Sequence, residues 1–197
     1  MTSRKNDYPI LDLIKDRWSP RAMSGEPICD QELFTLFEAA RWAPSSYNNQ
    51  PWRFIYAKRD TPEWELFLEL LYEPNRVWAQ RAGALVVVIS RTLFFFNDTP
   101  SRTHSFDTGA AVENFALQGS SMGLVIHGME GFDYERAQTV LEIPADYAVE
   151  ALFAVGKPGP LSLLPENVQL RETPSDRKPV KELVYKGSFG RGSHDAF

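Results

Sequence analysis

The run ALVVVIS at residues 84–90 constrains the fold more than any other stretch of the chain. Its apolar and β-branched side chains occupy both alternating faces, and a strand with this pattern is covered on two sides. The run therefore predicts a strand in the middle of a sheet. It is too short to span a bilayer, and residues 1–17 contain no uninterrupted apolar run of signal-peptide length. We expect a soluble cytoplasmic protein without a membrane partner.

Helices and strands are predicted to alternate around this strand. The spacing of apolar residues, with Asp30 and Asp133 as N-caps and Gly123 as a C-cap, sets the bounds of the predicted helices. The predicted helices cover residues 30–42, 62–72, 107–122 and 133–143, and the further strands cover 53–58, 124–128 and 150–158. This alternation predicts an α/β or α+β architecture in which a central sheet is flanked by helices.

The 197 residues are predicted to form one domain, with a core over about 10–158. Beyond this core the chain is rich in proline and has few periodic apolar positions. Residues 159–197 are therefore predicted to form an extended arm laid over another surface, for which VKELVY at 180–185 supplies apolar side chains. A disordered tail is the alternative.

The composition excludes several classes of function. A net charge of -5 argues against nucleic acid as the main partner, because that binding requires clustered basic charge. Cys29 is the only cysteine, and His104, His127 and His194 show no metal-ligand spacing, so no disulfide framework and no metal site are expected. No GxGxxG motif, P-loop or GxSxG motif lies between a predicted strand and a predicted helix. The sequence therefore lacks the marks of a dinucleotide fingerprint, of a P-loop and of a hydrolase nucleophile elbow.

The stretch RWSPR places Arg17, Ser19 and Arg21 at alternate positions. In an extended segment these side chains share a face, so two guanidinium groups and a hydroxyl can converge on an anion such as a phosphate. Solvated surface charge is the alternative interpretation.

Three further stretches permit more than one interpretation. PSSYNNQPWRF at 44–54 is either a surface loop or a ligand site with amides and hydroxyls beside an aromatic wall. In HGMEGFD at 127–133, the glycines Gly128 and Gly131 either let the backbone approach a flat ligand or serve a tight turn. The aromatic run at 94–96 is interpreted as a core or dimer contact rather than a substrate wall.

These stretches together resemble the nitroreductase family of FMN-dependent oxidoreductases. The segments RWSPRAM, EAARWAPSSYNNQPWRF, NRVWAQRAGALVVVIS, DTGAAVENFALQGSSMGL and HGMEGFD occur in the family's order and spacing, with a weaker echo at DRKPVKELVY. The resemblance implies an α+β fold with a central, mostly antiparallel sheet flanked by helices. It also implies an obligate homodimer with two FMN sites at the interface and a C-terminal arm that wraps the partner subunit.

The resemblance assigns FMN contacts to the first half of the chain. Arg17, Trp18, Ser19 and Arg21 would hold the phosphate, the ribityl chain and the flavin pyrimidine edge. A cation near N1 and O2 stabilises the anionic reduced flavin. Asn75 matches an asparagine that hydrogen-bonds the pyrimidine edge. The loop that would lie against the flavin across the subunit boundary consists of Pro44, Ser45, Ser46, Asn48 and Gln50.

The resemblance also assigns FMN contacts to the second half of the chain. Met129, Glu130 and Gly131 match the segment whose backbone N–H faces flavin N5. Arg177 matches a C-terminal basic residue that pairs with the phosphate, whereas the second basic residue often found two positions earlier is replaced by Ser175.

The implied activity is hydride transfer from NADH or NADPH, through flavin N5, to a nitroaromatic, a quinone or a similar electron-poor acceptor in a ping-pong cycle. In this mechanism no side chain acts as a catalytic nucleophile. Two alternatives stay open: a non-catalytic module that binds flavin or senses redox state, and a related flavin dehydrogenase or dehalogenase with another substrate.

Overall fold

A central antiparallel sheet organises the protein, and the computed structural model describes residues 4–190. Within this range the four strands are β1 Trp52–Lys58, β2 Ala84–Arg91, β3 Val125–Met129 and β4 Tyr147–Gly156. Their order is β1-β2-β4-β3, and every neighbouring pair is antiparallel. The run at 84–90 therefore lies inside the sheet, as its sequence predicts.

Helices cover both faces of this sheet. The α-helices are α1 Asp12–Asp16, α2 Asp30–Arg41, α3 Trp64–Leu70, α4 Glu73–Ala79, α5 His104–Ser121, α6 Tyr134–Val140 and α7 Glu166–Gln169. Short 3-10 helices occupy Ser46–Asn48, Leu161–Leu163 and Val180–Glu182. None of the helices within residues 4–190 combines the length and the hydrophobicity needed to cross a membrane.

The side chains of β2 alternate between two apolar layers. Leu85 and Val87 pack in a layer with α3, α4 and α6, whereas Val86 packs in the opposite layer with α2 and α5. Each residue from Ala84 to Ser90 is at most 5% exposed. Helices on both faces explain why this strand lacks the alternation of polar and apolar residues that a half-exposed strand shows.

The structure confirms the predicted elements and corrects several bounds. The helix predicted over 62–72 ends at Leu70, and α4, which follows it at once, was missed. Helix α5 begins at His104, three residues before the predicted start. Cys29, not Asp30, is the N-cap of α2: its Sγ accepts from the Glu32 backbone N–H, and the Glu32 carboxylate accepts from the Cys29 N–H, which forms a capping box.

The arm packs along its own chain for part of its length. Arg4 donates to the Ser175 carbonyl at 3.0 Å, and the Val180 N–H donates to Asp7 at 2.7 Å. The wrapping of a partner subunit stays a prediction. Residues 1–3 and 191–197, which include His194 and the end of the arm, lie outside the described residues.

Candidate anion and cofactor site

A cavity of about 360 Å³ opens between the N-terminal segment, the end of the sheet and the arm. It is lined by Arg4, Arg17, Trp18, Ser19, Arg21, His127, Gly128, Arg171, Thr173, Ser175 and Arg177. Five of these residues carry a guanidinium group. We call this space the arginine cavity.

The RWSPR segment forms one wall of the arginine cavity. The Arg17 guanidinium donates to Ser19 Oγ at 3.4 Å and pairs with Glu113 of α5, also at 3.4 Å. The predicted convergence of Arg17, Ser19 and Arg21 is therefore present in the fold. Arg17 is held in a position from which it reaches the cavity.

The arm supplies the opposite wall of the arginine cavity. Glu172 holds this wall against the RWSPR segment. Its carboxylate accepts hydrogen bonds from the backbone N–H groups of Arg21 and Ala22 and lies 3.4 Å from the Arg21 guanidinium. We call these contacts of Glu172 the latch. The residues on either side of this latch, Arg171 and Thr173, both line the cavity. The latch thus joins two segments that are 151 positions apart.

Arg4 is a cavity residue that the sequence did not suggest. Its side chain donates to the carbonyls of Lys15, Arg17 and Ser175, so it ties the N-terminal segment to both cavity walls. Burial first, and then the Arg177 and Arg17 guanidiniums, lower the pKa of Arg4. Like charges have been brought together here at an energetic cost.

No carboxylate within residues 4–190 lies at ion-pair distance from Arg4, Arg171 or Arg177. These three residues therefore have no ion-pair partner among the described residues, unlike Arg17 and Arg21, although Asp16 and Asp176 offset part of the charge at Arg4. An anion with several acceptor oxygens would relieve this repulsion, and planar guanidinium groups suit a phosphate. Arg171, like Arg4, was missed because no motif marks either residue.

His127 closes the base of the cavity from β3. It is 9% exposed, its ring centroid lies 4.6 Å from that of Trp78, and its Nδ1 lies 3.0 Å from the Pro20 carbonyl oxygen. A carbonyl only accepts, so Nδ1 carries the proton. Burial, the largest influence, lowers the pKa of His127. The residue is thus the neutral core histidine that its sequence context favoured.

Two other predicted site residues, Asn75 of α4 and Gly131 after β3, contact each other. The Asn75 side chain donates to the Gly131 carbonyl at 3.1 Å, and a Cβ added to Gly131 would lie 2.8 Å from Asn75 Nδ2. Glycine at 131 therefore makes room for Asn75. The same test at Gly128 meets the Phe153 ring at 2.8 Å, so packing is reason enough for that glycine and no flat ligand is needed to explain it.

Met129 and Glu130 follow His127 and Gly128 directly at the end of β3, so the predicted 129–131 segment adjoins the arginine cavity along the strand. Met129 is 4% exposed and belongs to the core, whereas Glu130 is exposed. Any contact from this segment to a ligand would come from its backbone.

The loop from Pro44 to Gln50 does not line the arginine cavity. Its own hydrogen bonds define it: Ser46 N–H donates to Asp107 at 3.0 Å, and Gln50 N–H donates to Ser45 Oγ at 3.0 Å. The Gln50 side chain donates to the Asn48 carbonyl at 2.9 Å. Asp107, near the start of α5, is 5% exposed and also accepts from Thr103.

An aromatic cluster lies beside this loop and consists of Tyr47, Phe94 and Phe96. The ring centroids are 5.2 to 5.8 Å apart, and Tyr47 is 82% exposed. The buried Asn49 joins the two segments, because its side chain accepts from the Phe95 N–H at 2.9 Å. For residues 94–96, interpreted as a core or dimer contact, the core alternative is wrong for Phe95 and Phe96, which are 45% and 62% exposed, and the dimer contact stays a prediction.

The fold and this site define an α+β protein with an arginine-lined cavity at one edge of its sheet. A sequence model of the nitroreductase family matches residues 14–77 and 63–157. The chain belongs to the nitroreductase family.

Known structures and proteins agree with this membership. The crystal structure of an oxidoreductase containing FMN is 43% identical, covers 97% of this chain and 100% of its own, and superposes with a TM-score of 0.91. A candidate nitroreductase of Desulfovibrio desulfuricans, in complex with FMN, is 26% identical over 93% of this chain and 99% of its own, with a TM-score of 0.71. Protein DrgA of Synechocystis is 25% identical over 155 residues, which are 64% of this chain and 73% of DrgA.

Proposed function

We propose that the protein is an FMN-dependent oxidoreductase that takes hydride from NADH or NADPH and delivers it to a nitroaromatic, a quinone or a similar electron-poor acceptor. The observation that carries the proposal is the convergence of five guanidinium groups on the arginine cavity, three of which, those of Arg4, Arg171 and Arg177, have no ion-pair partner among the described residues. The FMN found in the solved structure that is 43% identical supports the choice of cofactor.

The donor set fits the phosphate of FMN. Guanidinium groups and the Ser19 and Thr173 hydroxyls line one cavity, which is the composition that a phosphate monoester requires. When bound, FMN supplies the atom, N5, that accepts and then donates the hydride. In the rest of the proposed site, Asn75, whose side chain donates to the Gly131 carbonyl, would bind the edge of the ring, and Arg21 would place a positive charge beside it.

In the proposed cycle the chain binds its two substrates in turn. Donor and acceptor would occupy the same place, one after the other, in a ping-pong sequence. The residues of the site would orient the ring, stabilise negative charge and admit one substrate at a time, so no side chain acts as a nucleophile.

A homodimer completes this proposal. The loop from Pro44 to Gln50 does not line the arginine cavity of its own chain, and the proposal is that it contacts the FMN of the partner subunit. The arm is proposed to continue onto that subunit. A cytoplasmic location stays a prediction.

The test is the absorbance spectrum of the purified protein before and after anaerobic addition of NADPH. We expect flavin absorbance, release of FMN on denaturation, and bleaching by the nucleotide. Colourless protein that FMN does not reconstitute would contradict the proposal.

Steady-state oxidation of NADH and NADPH, with nitrofurazone or menadione as acceptor, tests turnover separately. An acceptor-dependent rate is expected. Bound flavin without such a rate would identify a binding or redox-sensing module instead.

A further inference from the structure

A buried carboxylate stands directly behind the proposed flavin-facing arginine. The Glu172 side chain is 5% exposed, and its partners are Arg21 and Ala22. Oε1 accepts the two backbone N–H groups, and Oε2 lies 3.4 Å from Arg21 Nη1. One carboxylate therefore fixes both the backbone and the guanidinium of Arg21.

Arg17, on the RWSPR wall of the arginine cavity, belongs to a second arginine–glutamate pair, which is more exposed and has no backbone hydrogen bonds to its carboxylate among the described residues. Arg17 and Glu113 are also 3.4 Å apart, but the Glu113 side chain is 55% exposed. Coulomb energy falls as the effective dielectric rises, by roughly fourfold between a near-surface value of about 20 and bulk water. Glu172 thus offsets the charge of Arg21 more strongly than Glu113 offsets that of Arg17.

We propose that Glu172 is a positioning residue that sets the reduction potential of the bound flavin by holding Arg21 and offsetting its charge. This inference rests on the proposed FMN site. Reduction adds negative charge to the ring system, and a nearby cation favours the reduced form. By offsetting that cation, Glu172 lowers the potential and keeps the cofactor a strong hydride donor toward the acceptor.

The E172Q and E113Q variants test the inference as a matched pair. E172Q keeps the shape of the side chain and an oxygen that accepts the two backbone N–H groups, and it replaces the charged oxygen that faces the Arg21 guanidinium by a neutral NH2 group. We expect the affinity for reduced FMN, relative to oxidised FMN, to rise by roughly fivefold or more in E172Q, with a more positive midpoint potential. In E113Q, whose charge is screened by solvent, we expect a change below about twofold.

If Glu172 only holds the two segments together, we expect a different result for FMN affinity and midpoint potential. Loss of the latch alone would weaken oxidised and reduced FMN equally and leave the midpoint potential unchanged. E172A, which also removes the acceptor oxygens, shows this structural effect, because it exposes the Arg21 and Ala22 N–H groups. An E172Q potential equal to that of the wild type overturns the inference.

The R21Q variant, alone and combined with E172Q, tests whether Glu172 acts through Arg21. We expect the effect of E172Q on the potential to shrink in the R21Q background, and an undiminished effect overturns the proposed route. Wild-type protein that binds no FMN would contradict the proposed function together with this inference. FMN-loaded protein with equal potentials in E172Q and E113Q contradicts this inference alone.

Discussion

The arginine cavity and the loop from Pro44 to Gln50 carry most of the predicted site residues, but the fold treats them differently. The cavity is closed by three segments of one chain, which contribute Arg4, Arg17 and Arg177 to a single space. The loop bonds to its own chain through Asp107 and turns Tyr47 outward, with a backbone φ of 52°. The lining of the first region comes from a single chain, and the second region is the part that we propose a partner subunit uses.

The two regions also differ in the kind of unfavourable energy that each contains. In the cavity, the unfavourable term is repulsion between guanidinium groups, which an anion removes. In the loop, the unfavourable term is conformational, because Tyr47, Asn48 and Gln50 all adopt positive φ values that favour glycine. Both kinds of cost persist where the surrounding structure fixes them, and both are concentrated at functional sites.

The largest expected effect is on phosphate binding in the cavity. Arg177→Ala should weaken FMN binding by roughly tenfold to a hundredfold, since a charged hydrogen bond contributes about 1.5–3 kcal/mol. Titration of the cofactor-free protein, followed by flavin fluorescence, measures the change. Riboflavin, which lacks the phosphate, should bind R177A and wild type equally, and Lys178→Ala is the neighbouring control. An equal loss for riboflavin would contradict the phosphate assignment.

The second prediction concerns the loop from Pro44 to Gln50 and the stability of the folded protein. Asp107→Ala leaves the Ser46 N–H without its acceptor, and we expect a loss of about 1–3 kcal/mol in the free energy of unfolding. Urea denaturation measures it. Asp12→Ala, which removes an exposed pair with Lys15, is the control and should change stability by less than about 1 kcal/mol. Equal stabilities of D107A and D12A would show that the loop needs no internal anchor.

The exposed face of the loop gives a smaller effect. If a second copy covers Tyr47, Tyr47→Gly relieves backbone strain but removes a large aromatic contact, so the dimer should weaken by about 1–2 kcal/mol. Sedimentation equilibrium at several concentrations measures this change. Phe106→Ala tests a second exposed ring, 82% exposed, outside the aromatic cluster. A Tyr47→Gly dimer as strong as the wild type would remove the loop from the proposed interface.

The smallest effect is the pH dependence contributed by His127. Its folded pKa is lowered from 6.5 by burial, so below about pH 6.5 the unfolded chain binds a proton that the folded chain resists. This contribution to stability is complete above pH 6.5 and is lost as the pH falls toward the folded pKa. His127→Gln should flatten the stability curve below about pH 6.5 in urea titrations. A curve as steep as that of the wild type would assign the slope to other groups.

Much of the fold was predictable because local pattern and tertiary environment agree. The run at 84–90 indicated two covered faces, and β2 has them. The helical spacing of apolar residues at 33, 34, 36, 37 and 40 indicated the helix α2; Leu33, Leu36 and Ala40 are buried, whereas Phe34 is 52% exposed. The predicted bounds failed at the 62–72 helix, where the chain bends at Leu71 and begins α4 at Glu73, a break that apolar spacing does not mark.

The candidate site was predictable only in part. The residues that carry a motif, such as Arg17, Ser19 and Arg21, were found together. Arg4, Arg171 and Glu172 carry no motif, and their partners lie far away in the chain: Arg4 bonds to residue 175, and Glu172 bonds to residue 21. No sequence window contains both members of such a pair.

The sequence by itself determined the secondary elements, the two-sided central strand and the polar loop PSSYNNQ, because hydrophobic periodicity and turn chemistry are properties of neighbouring residues. Only the tertiary structure decided which arginines share a cavity, which of them pair with Glu113 and Glu172, and that the loop does not line that cavity. Charge interactions depend on distance in space and on burial, and both are set by the path of the folded chain.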